Sequence, residues 1–267
     1  MSLSVIVLAY NEERNLPDCL ESLKGLDCEI LVVDSGSTDR TPEIARAHGA
    51  RLIEVPHATG WGEKRQLAQK EATGEWILHL DSDERLTPEL QEEIKAVLQT
   101  ATGHEIFQIA RLNHLFGEQI AHCGWYPDYV RRLYRKDFTS FNDAYVHEHV
   151  IIPEGGQVRA LKHPLLHYTY ATVEHCLVKQ KNYALAFAEE KLKKGRRVTL
   201  WSIPFRGLFS FIRVLIIRQG FKDGRWGLWN AISTATYTVN KYLALYARQN
   251  HKALRSCEAA GSSEKGH

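Results

Sequence analysis

Acidic side chains cluster at three points where a short apolar run ends: Ala9-Tyr10-Asn11-Glu12, Asp34-Ser35-Gly36-Ser37-Thr38-Asp39 and Asp81-Ser82-Asp83-Glu84. Four of these carboxylates, Glu12, Asp34, Asp81 and Asp83, are expected to converge on one sheet edge. Like charges gathered there repel unless a divalent cation or hydrogen-bond donors offset them. In Asp81-x-Asp83 the two residues point the same way from a strand end, so one can reach a hard cation while the other holds a ribose hydroxyl or a metal-bound water. A DxD alone is common in surface turns. This one follows the run Glu75-Trp76-Ile77-Leu78-His79-Leu80, after a third βα unit.

The elements that position these residues are legible in the first hundred positions, where β-branched apolar runs alternate with amphipathic helical patterns. Strands are predicted at 4–8, 29–33, 51–55 and 76–80, and helices at 12–23, 41–48, 62–72 and 88–98, with Thr41-Pro42 as a capped helix start. Such α/β sheets place ligands at the carboxyl ends of their strands, where the acidic segments fall. From 105 to about 166 the pattern is irregular, with short strands at 106–111 and 130–134. From 172 onward long helical patterns follow, at 173–194, 201–219 and 226–248.

The chain has 267 residues, 44% hydrophobic and 25% charged, a composition that excludes wholesale disorder, collagen and small disulfide scaffolds. Its net charge of +2 hides a division: net −10 over residues 1–150 and net +12 over 151–267. A basic second half points to a polyanionic partner or to docking on the acidic half. Five cysteines without CxxC spacing indicate neither a disulfide framework nor a zinc knuckle and fit a reducing compartment. The amino-terminal apolar stretch is too short for a signal peptide, which places the protein in the cytosol.

Together VIVLAYNEERNL, EILVVDSGSTDRT and GWGEKRQLAQKEATGEWILHLDSDERL resemble the family 2 glycosyltransferases of GT-A fold, in the right order and spacing. The resemblance implies a Rossmann-like nucleotide-sugar domain with a mixed, mainly parallel sheet over 1–170 (donor half 1–100, acceptor half 101–170). A basic helical extension over 171–250 and a disordered tail over 251–267 complete the chain. It further implies that Glu12 and Asp34 hold the uridine of a UDP-sugar, with Tyr10 beside them. Asp81 and Asp83 would take the ribose and an Mn²⁺ or Mg²⁺ on the diphosphate, and Lys64 and Arg65 would lie near base and phosphates. The residues by themselves indicate metal and diphosphate; the sugar comes from the resemblance.

An inverting transfer needs a base opposite the departing nucleotide. Candidates are Glu148, in a segment resembling the VHE of bacterial lipopolysaccharide core enzymes, then Asp128, then Asp143; Glu148 pairing with a neighbouring His or Arg is the structural alternative. Among His147, His149, His163 and His167, the last is the choice to complete a metal shell. Trp61, Trp125 and Tyr126 suit stacking on sugar rings or cleft packing. Arg131, Arg132, Arg135 and Lys136 suit a phosphorylated acceptor or an exposed strand face.

The segment 201–219 approaches bilayer-spanning length but carries Arg206, Arg213 and Arg218, and reads as a helix lying in the membrane interface. The alternative is a packing helix whose arginines snorkel outward. The C-terminal region resembles that of glucosyltransferases acting on inner-core heptose. The expected enzyme is thus an inverting, metal-dependent hexosyltransferase, peripheral on the cytoplasmic face of a bacterial inner membrane, using a UDP-sugar and a lipid-linked saccharide. Polyprenyl-linked or exopolysaccharide acceptors, and a non-catalytic membrane adaptor, are the competing readings. No nucleic-acid-binding module is visible.

Overall fold

The computed structural model describes residues 1–55, 60–143 and 148–250. His147 and the expected tail lie outside them. Two compact units result: Met1–Asn113 with Pro127–Thr169, and His114–Tyr126 with the residues from Tyr170 onward.

In the first unit, strands β1 (Leu3–Ala9), β2 (Cys28–Asp34), β3 (Arg51–Glu54) and β4 (Trp76–Asp81) run parallel in the order β3-β2-β1-β4. Every residue of β1, LSVIVLA, is buried, as a strand covered on both faces requires. Val5 and Val7 enter one hydrophobic cluster with Leu16, Leu20 and Leu90, while Ile6 and Leu8 enter a second with Ala68 and Tyr134. Helices α1 (Leu16–Glu21), α2 (Thr41–Ala47), α3 (Trp61–Glu71) and α4 (Pro88–Thr100) accompany these strands.

Beyond β4 the sheet becomes mixed. Strand β5 (Glu84–Leu86) follows directly, and β6 (Glu105–Leu115), β8 (Asp128–Arg135), β9 (Gln157–Ala160) and β10 (Leu165–Tyr170) continue it. The order runs β4-β8-β6-β10-β5, with β8 antiparallel to both β4 and β6.

Helix α1 starts four residues later than its pattern predicts. Asn11 adopts φ 54°, and the carbonyl of Glu12 accepts from the amides of Asn15 and Leu16, so the chain turns before it coils. Thr41 is the first residue of α2 rather than its side-chain cap; its hydroxyl accepts from the Glu12 amide at 2.8 Å. Strands β5 and β9, of three and four residues, are too short for an alternation to register.

The second unit is helical: α5 (Val173–Lys193), α6 (Ser202–Ile212), a π-helical turn Arg213–Ile217, a 3₁₀ turn Gly220–Asp223 and α7 (Gly224–Asn250). Strand β7 (Glu118–Ile120) pairs with β6 across Phe116-Gly117, both at positive φ, as a two-residue hairpin turn demands. Gly207 of α6 permits close approach to α7, since a Cβ there would lie 2.6 Å from Val239 Cγ2.

No helix among the described residues is long and apolar enough to cross a membrane. What α6 presents to solvent is nonetheless apolar: Trp201 is 85%, Phe205 70% and Phe209 60% exposed, with Leu208 and Ile216 also exposed. Arg206 is exposed on the same helix and also packs on its neighbour. Its guanidinium lies 4.5 Å over the Tyr242 ring of α7 and its Nη1 donates to that hydroxyl at 3.4 Å.

Candidate active site

The parallel register fixes the frame of the site. Leu8 of β1 stands opposite Asp81 of β4, and Ala9 opposite Asp34 of β2. The two aspartates therefore end the strands on either side of β1, two strand spacings or about 10 Å apart.

Asp34 is buried and its carboxylate shapes its own loop: Oδ2 accepts from the amides of Gly36 (3.1 Å) and Ser37 (3.0 Å), and Oδ1 from the Ser37 hydroxyl (2.5 Å). Gly36, at φ 84°, permits that turn. Lys64 is buried as well; burial draws its pKa down while Asp34 opposes the shift. Its ammonium stands 4.6 Å over the Trp61 ring. Glu12 Oε2 accepts from Asn15 Nδ2 at 2.8 Å, and Tyr10 is exposed just past β1.

Asp81 is balanced by arginines. Arg65 Nη2 donates to Oδ1 and Arg132 Nη2 to Oδ2, each at 2.5 Å. Against the cost of burial, Arg132 and Arg65 hold its carboxyl well below the usual range. Both Asp81 oxygens, expected to take the ribose or a metal, are each engaged by one guanidinium group. Arg132 also donates to Glu84 Oε1 (2.8 Å), whose Oε2 accepts from the Asp81 amide (2.9 Å). Glu84 is fully buried, and burial pushes its carboxyl up, with Arg132 opposing. Its part was missed because it reads as one more acidic residue of the loop.

Several guanidinium nitrogens remain unused. Among the described residues, Arg65 Nε and Nη1, Arg131 Nε and Arg132 Nε are buried without a hydrogen-bond acceptor, although Arg65 Nε has the Glu148 carboxylate as an ion-pair neighbour. Such groups are costly to leave unpaired and cheap to satisfy with an anion.

Asp83, two positions beyond the strand, has different company. Its Oδ2 lies 3.4 Å from His167 Nε2 on β10. His167 Nδ1 meets Asn113 Oδ1 at 2.6 Å, a contact that suits a proton on Nδ1; in the neutral ring Nε2 is then the lone-pair side. Two acceptor atoms this close fit a shared cation, since adjacent ligands of an octahedral Mg²⁺ with bonds of ~2.1 Å stand about 3 Å apart. Among the described residues no three His, Cys, Asp or Glu side chains gather to form a metal site. Asp83 and His167 are thus a partial donor set of the kind substrate phosphates complete.

A cleft of about 370 Å³ adjoins Asp81, lined by Gln108, Arg111, Arg131, Arg132 and Glu148 among others. Adjacent residues of a regular strand face opposite ways, yet Arg131 and Arg132 both line it. The pairing explains this: Phe107 opposes Leu133 and Gln108 opposes Arg131, so Arg132 is the extra residue of a β-bulge. Glu148 Oε1 lies 3.7 Å from Arg65 Nε. Asp128 does not line the cleft; its Oδ2 is held by Arg111 Nε (2.9 Å) and Nη2 (2.5 Å).

Most of the other sequence candidates stand elsewhere. His163 pairs with Glu93 and Arg135 with Asp137, whereas His149 lines the cleft and pairs with Asn142. Lys136 reaches the Ala72 carbonyl. Asp143 is exposed and does not line the cleft. A larger cavity of about 570 Å³, bounded by Gln66, Lys70, Phe138 and Pro153, is lined by one of the candidates, Lys136.

Residues 4–153, more than half the chain, match glycosyl transferase family 2. Among curated proteins, the chain is 28% identical over 264 residues to the lipopolysaccharide core biosynthesis glycosyltransferase LpsC of Rhizobium meliloti, covering 95% of each. It is 27% identical over 239 residues to the uncharacterized glycosyltransferase RT0209 of Rickettsia typhi, covering 86% of this chain and 82% of that one. Among solved structures, glucosyl-3-phosphoglycerate synthase of Mycobacterium tuberculosis, in complex with Mn²⁺, UDP and glucosyl-3-phosphoglycerate, matches at 28% identity and a TM-score of 0.36, over 42% of this chain and 44% of that one. With its acidic strand ends in register and residues 4–153, more than half of its length, matched by the family, the chain belongs to the family 2 glycosyltransferases.

Proposed function

We propose that this glycosyltransferase moves a hexose, glucose from UDP-glucose, with inversion onto a saccharide carried by a membrane lipid, the heptose of a lipopolysaccharide inner core. The observation that carries the reading is the cluster around Asp81. Acceptorless buried guanidinium N–H groups and the Asp83–His167 pair meet at the carboxyl ends of the parallel strands. A sugar nucleotide leaves as a diphosphate, and fixed donors aimed at that charge stabilise the transition state.

Asp83 and His167 would hold Mn²⁺ or Mg²⁺. When bound, the ion supplies positive charge to the diphosphate. Tyr10, Glu12 and the loop that Asp34 closes form the uridine side, with Lys64 beside them. Arg65 and Arg132 fix Asp81 and turn their remaining N–H groups to phosphate or ribose oxygens. Glu148, lining the cleft, takes the proton of the acceptor hydroxyl; general bases contribute about 10²–10⁴-fold. Arg131 and Arg111 supply cationic contacts for a phosphate-bearing acceptor.

The likeness to LpsC across nearly the whole chain supports the lipopolysaccharide acceptor. The outward Trp201, Phe205 and Phe209 of α6, with Lys222 and Arg225 following, support attachment to an anionic membrane surface. The test is calorimetric titration with UDP, UDP-glucose, UDP-galactose and GDP-mannose, with and without Mn²⁺, followed by transfer to truncated lipopolysaccharides. Metal-dependent binding of the uridine compounds is expected. A folded protein that binds none of them refutes the donor assignment and favours the membrane-adaptor reading.

A further inference from the structure

The helical unit contains a cavity of about 230 Å³ whose lining includes Trp125, Tyr170, Tyr183, Trp229 and Tyr237. Between these rings stand the amides of Gln180 and Asn230 and the hydroxyls of Ser233 and Thr234, and no charged side chain lines it. All these residues belong to the second unit. On α7 the lining positions recur as 229, 230, 233, 234 and 237, and on α5 as 176, 180 and 183, so each helix offers one stripe. Two packed helices ordinarily fill such a seam with aliphatic side chains; here it is aromatic and polar, and part of it is open.

The polar groups are only partly used by the protein. Asn230 is 3% exposed, yet its Nδ2 has no hydrogen-bond partner, with the Cys123 thiol as its weak neighbour. Its Oδ1 receives a long bond from Thr234 Oγ1 at 3.4 Å. Gln180 Nε2 donates to Ser233 Oγ at 2.7 Å. Asn230 lines the cavity, and among the described residues its buried amide nitrogen has only the Cys123 thiol beside it and no oxygen acceptor. Uncharged amides and hydroxyls beside aromatic faces match the two surfaces of a pyranose, its C–H face and its hydroxyl rim.

We infer that this cavity is a binding site for a neutral sugar ring, with Asn230 Nδ2 donating to one of its hydroxyls and the aromatic side chains packing on its C–H face. The assignment rests on the helical unit alone and does not depend on the donor-site reading.

Trp125 and Trp229 report on the site directly, which sets the experiment. The full chain is titrated with methyl α-D-mannopyranoside and methyl β-D-glucopyranoside, followed by tryptophan fluorescence and saturation-transfer NMR. Ser233→Leu fills the cavity from α7, and Tyr183→Ala removes a ring that is 55% exposed. UDP binding and the thermal midpoint serve as controls that each variant is folded. A saturable response in the wild type to at least one glycoside, weakened at least tenfold by Ser233→Leu and by Tyr183→Ala with the controls unchanged, is the expected result. No response to either glycoside overturns the assignment. So does a response that both folded variants retain in full, because the sugar then binds elsewhere. If Ser233→Leu fails its controls, Tyr183→Ala decides alone.

Discussion

Replacing Arg132 with Met tests the charge network at its centre. Arg132 is 4% exposed and bridges Asp81 and Glu84 through one nitrogen. Asp81 keeps Arg65 when Arg132 is lost, and about a third of its side chain remains exposed. Glu84 has no exposure; it keeps only the Asp81 amide and the Arg111 guanidinium at 3.6 Å. The loss therefore falls on Glu84. Removing one partner of a buried pair costs about 3–5 kcal/mol, and the nearby Arg111 places the expectation near the lower figure, about 3 kcal/mol at pH 8.

The cost is pH-dependent with a definite sign. The Glu84 carboxyl is already raised by burial, and without Arg132 it rises further. Where the folded variant holds a proton that the unfolded chain has released, stability falls as pH rises, by at most ~1.4 kcal/mol per pH unit. Because the wild-type carboxyl is itself raised, the deficit relative to wild type should grow between the wild-type folded pKa and the higher folded pKa of the variant, both above the unfolded value of about 4.3, and level off above them. Urea unfolding from pH 5 to 8, on Arg132→Met, Glu84→Gln and the double variant, measures it. The double variant, which lacks the stranded charge, should recover at least half the loss. A deficit under about 1 kcal/mol that does not change with pH would refute the reasoning.

The remaining expectations are simpler. Asp83→Ala should abolish Mn²⁺-dependent UDP binding, whereas Glu148→Gln should bind UDP as wild type and lose transfer by about 10²-fold or more. Normal transfer by Glu148→Gln would move the base elsewhere. His79 is fully buried, with Nε2 2.8 Å from the Tyr134 hydroxyl; burial, then the Arg65 and Arg132 charges, hold its pKa well below normal. The folded state then refuses a proton that the unfolded chain accepts below about pH 6.5, so stability falls on acidification, and His79→Gln should flatten that slope in unfolding measured from pH 7 to 5. Trp201→Ser with Phe205→Ser should weaken binding to phosphatidylglycerol-containing vesicles at least tenfold without altering the thermal midpoint, since both side chains are mostly exposed. Unchanged sedimentation with vesicles would remove α6 from the membrane contact.

The parallel half was legible because strands buried on both faces are nearly continuous apolar runs, and β1 to β4 fell within a residue or two of their patterns. The sites at their ends were legible for the same reason. What the sequence concealed was pairing over distance. Arg65 and Arg132 stand 16 and 51 residues from Asp81, and nothing in the local pattern marks them as its counterions. Asp34 looked like a ligand-binding carboxylate, but a loop rich in Ser and Gly had its own donors to offer. Glu148 ranked ahead of Asp128 by the resemblance of its segment, not by any local pattern. In the structure the path of β8 separates them, since it leaves Asp128 on Arg111 and brings Arg131 and Arg132 to the cleft.

The bulge at Arg132 also acts as a parity switch. Residues after it, Leu133 and Tyr134, keep their pairing with β4 and β6, while residues before it, Asp128 to Arg131, are assigned to faces opposite to those an unbroken alternation would give. Deleting a single residue at this point would leave the core register in place and turn over the preceding side chains, changing how Tyr129, Val130 and Arg131, which all line the cleft, face it. The charge of the acceptor cleft is therefore set by the length of one strand as much as by its composition. A relative that lacks the extra residue would present a different cleft from nearly the same sequence.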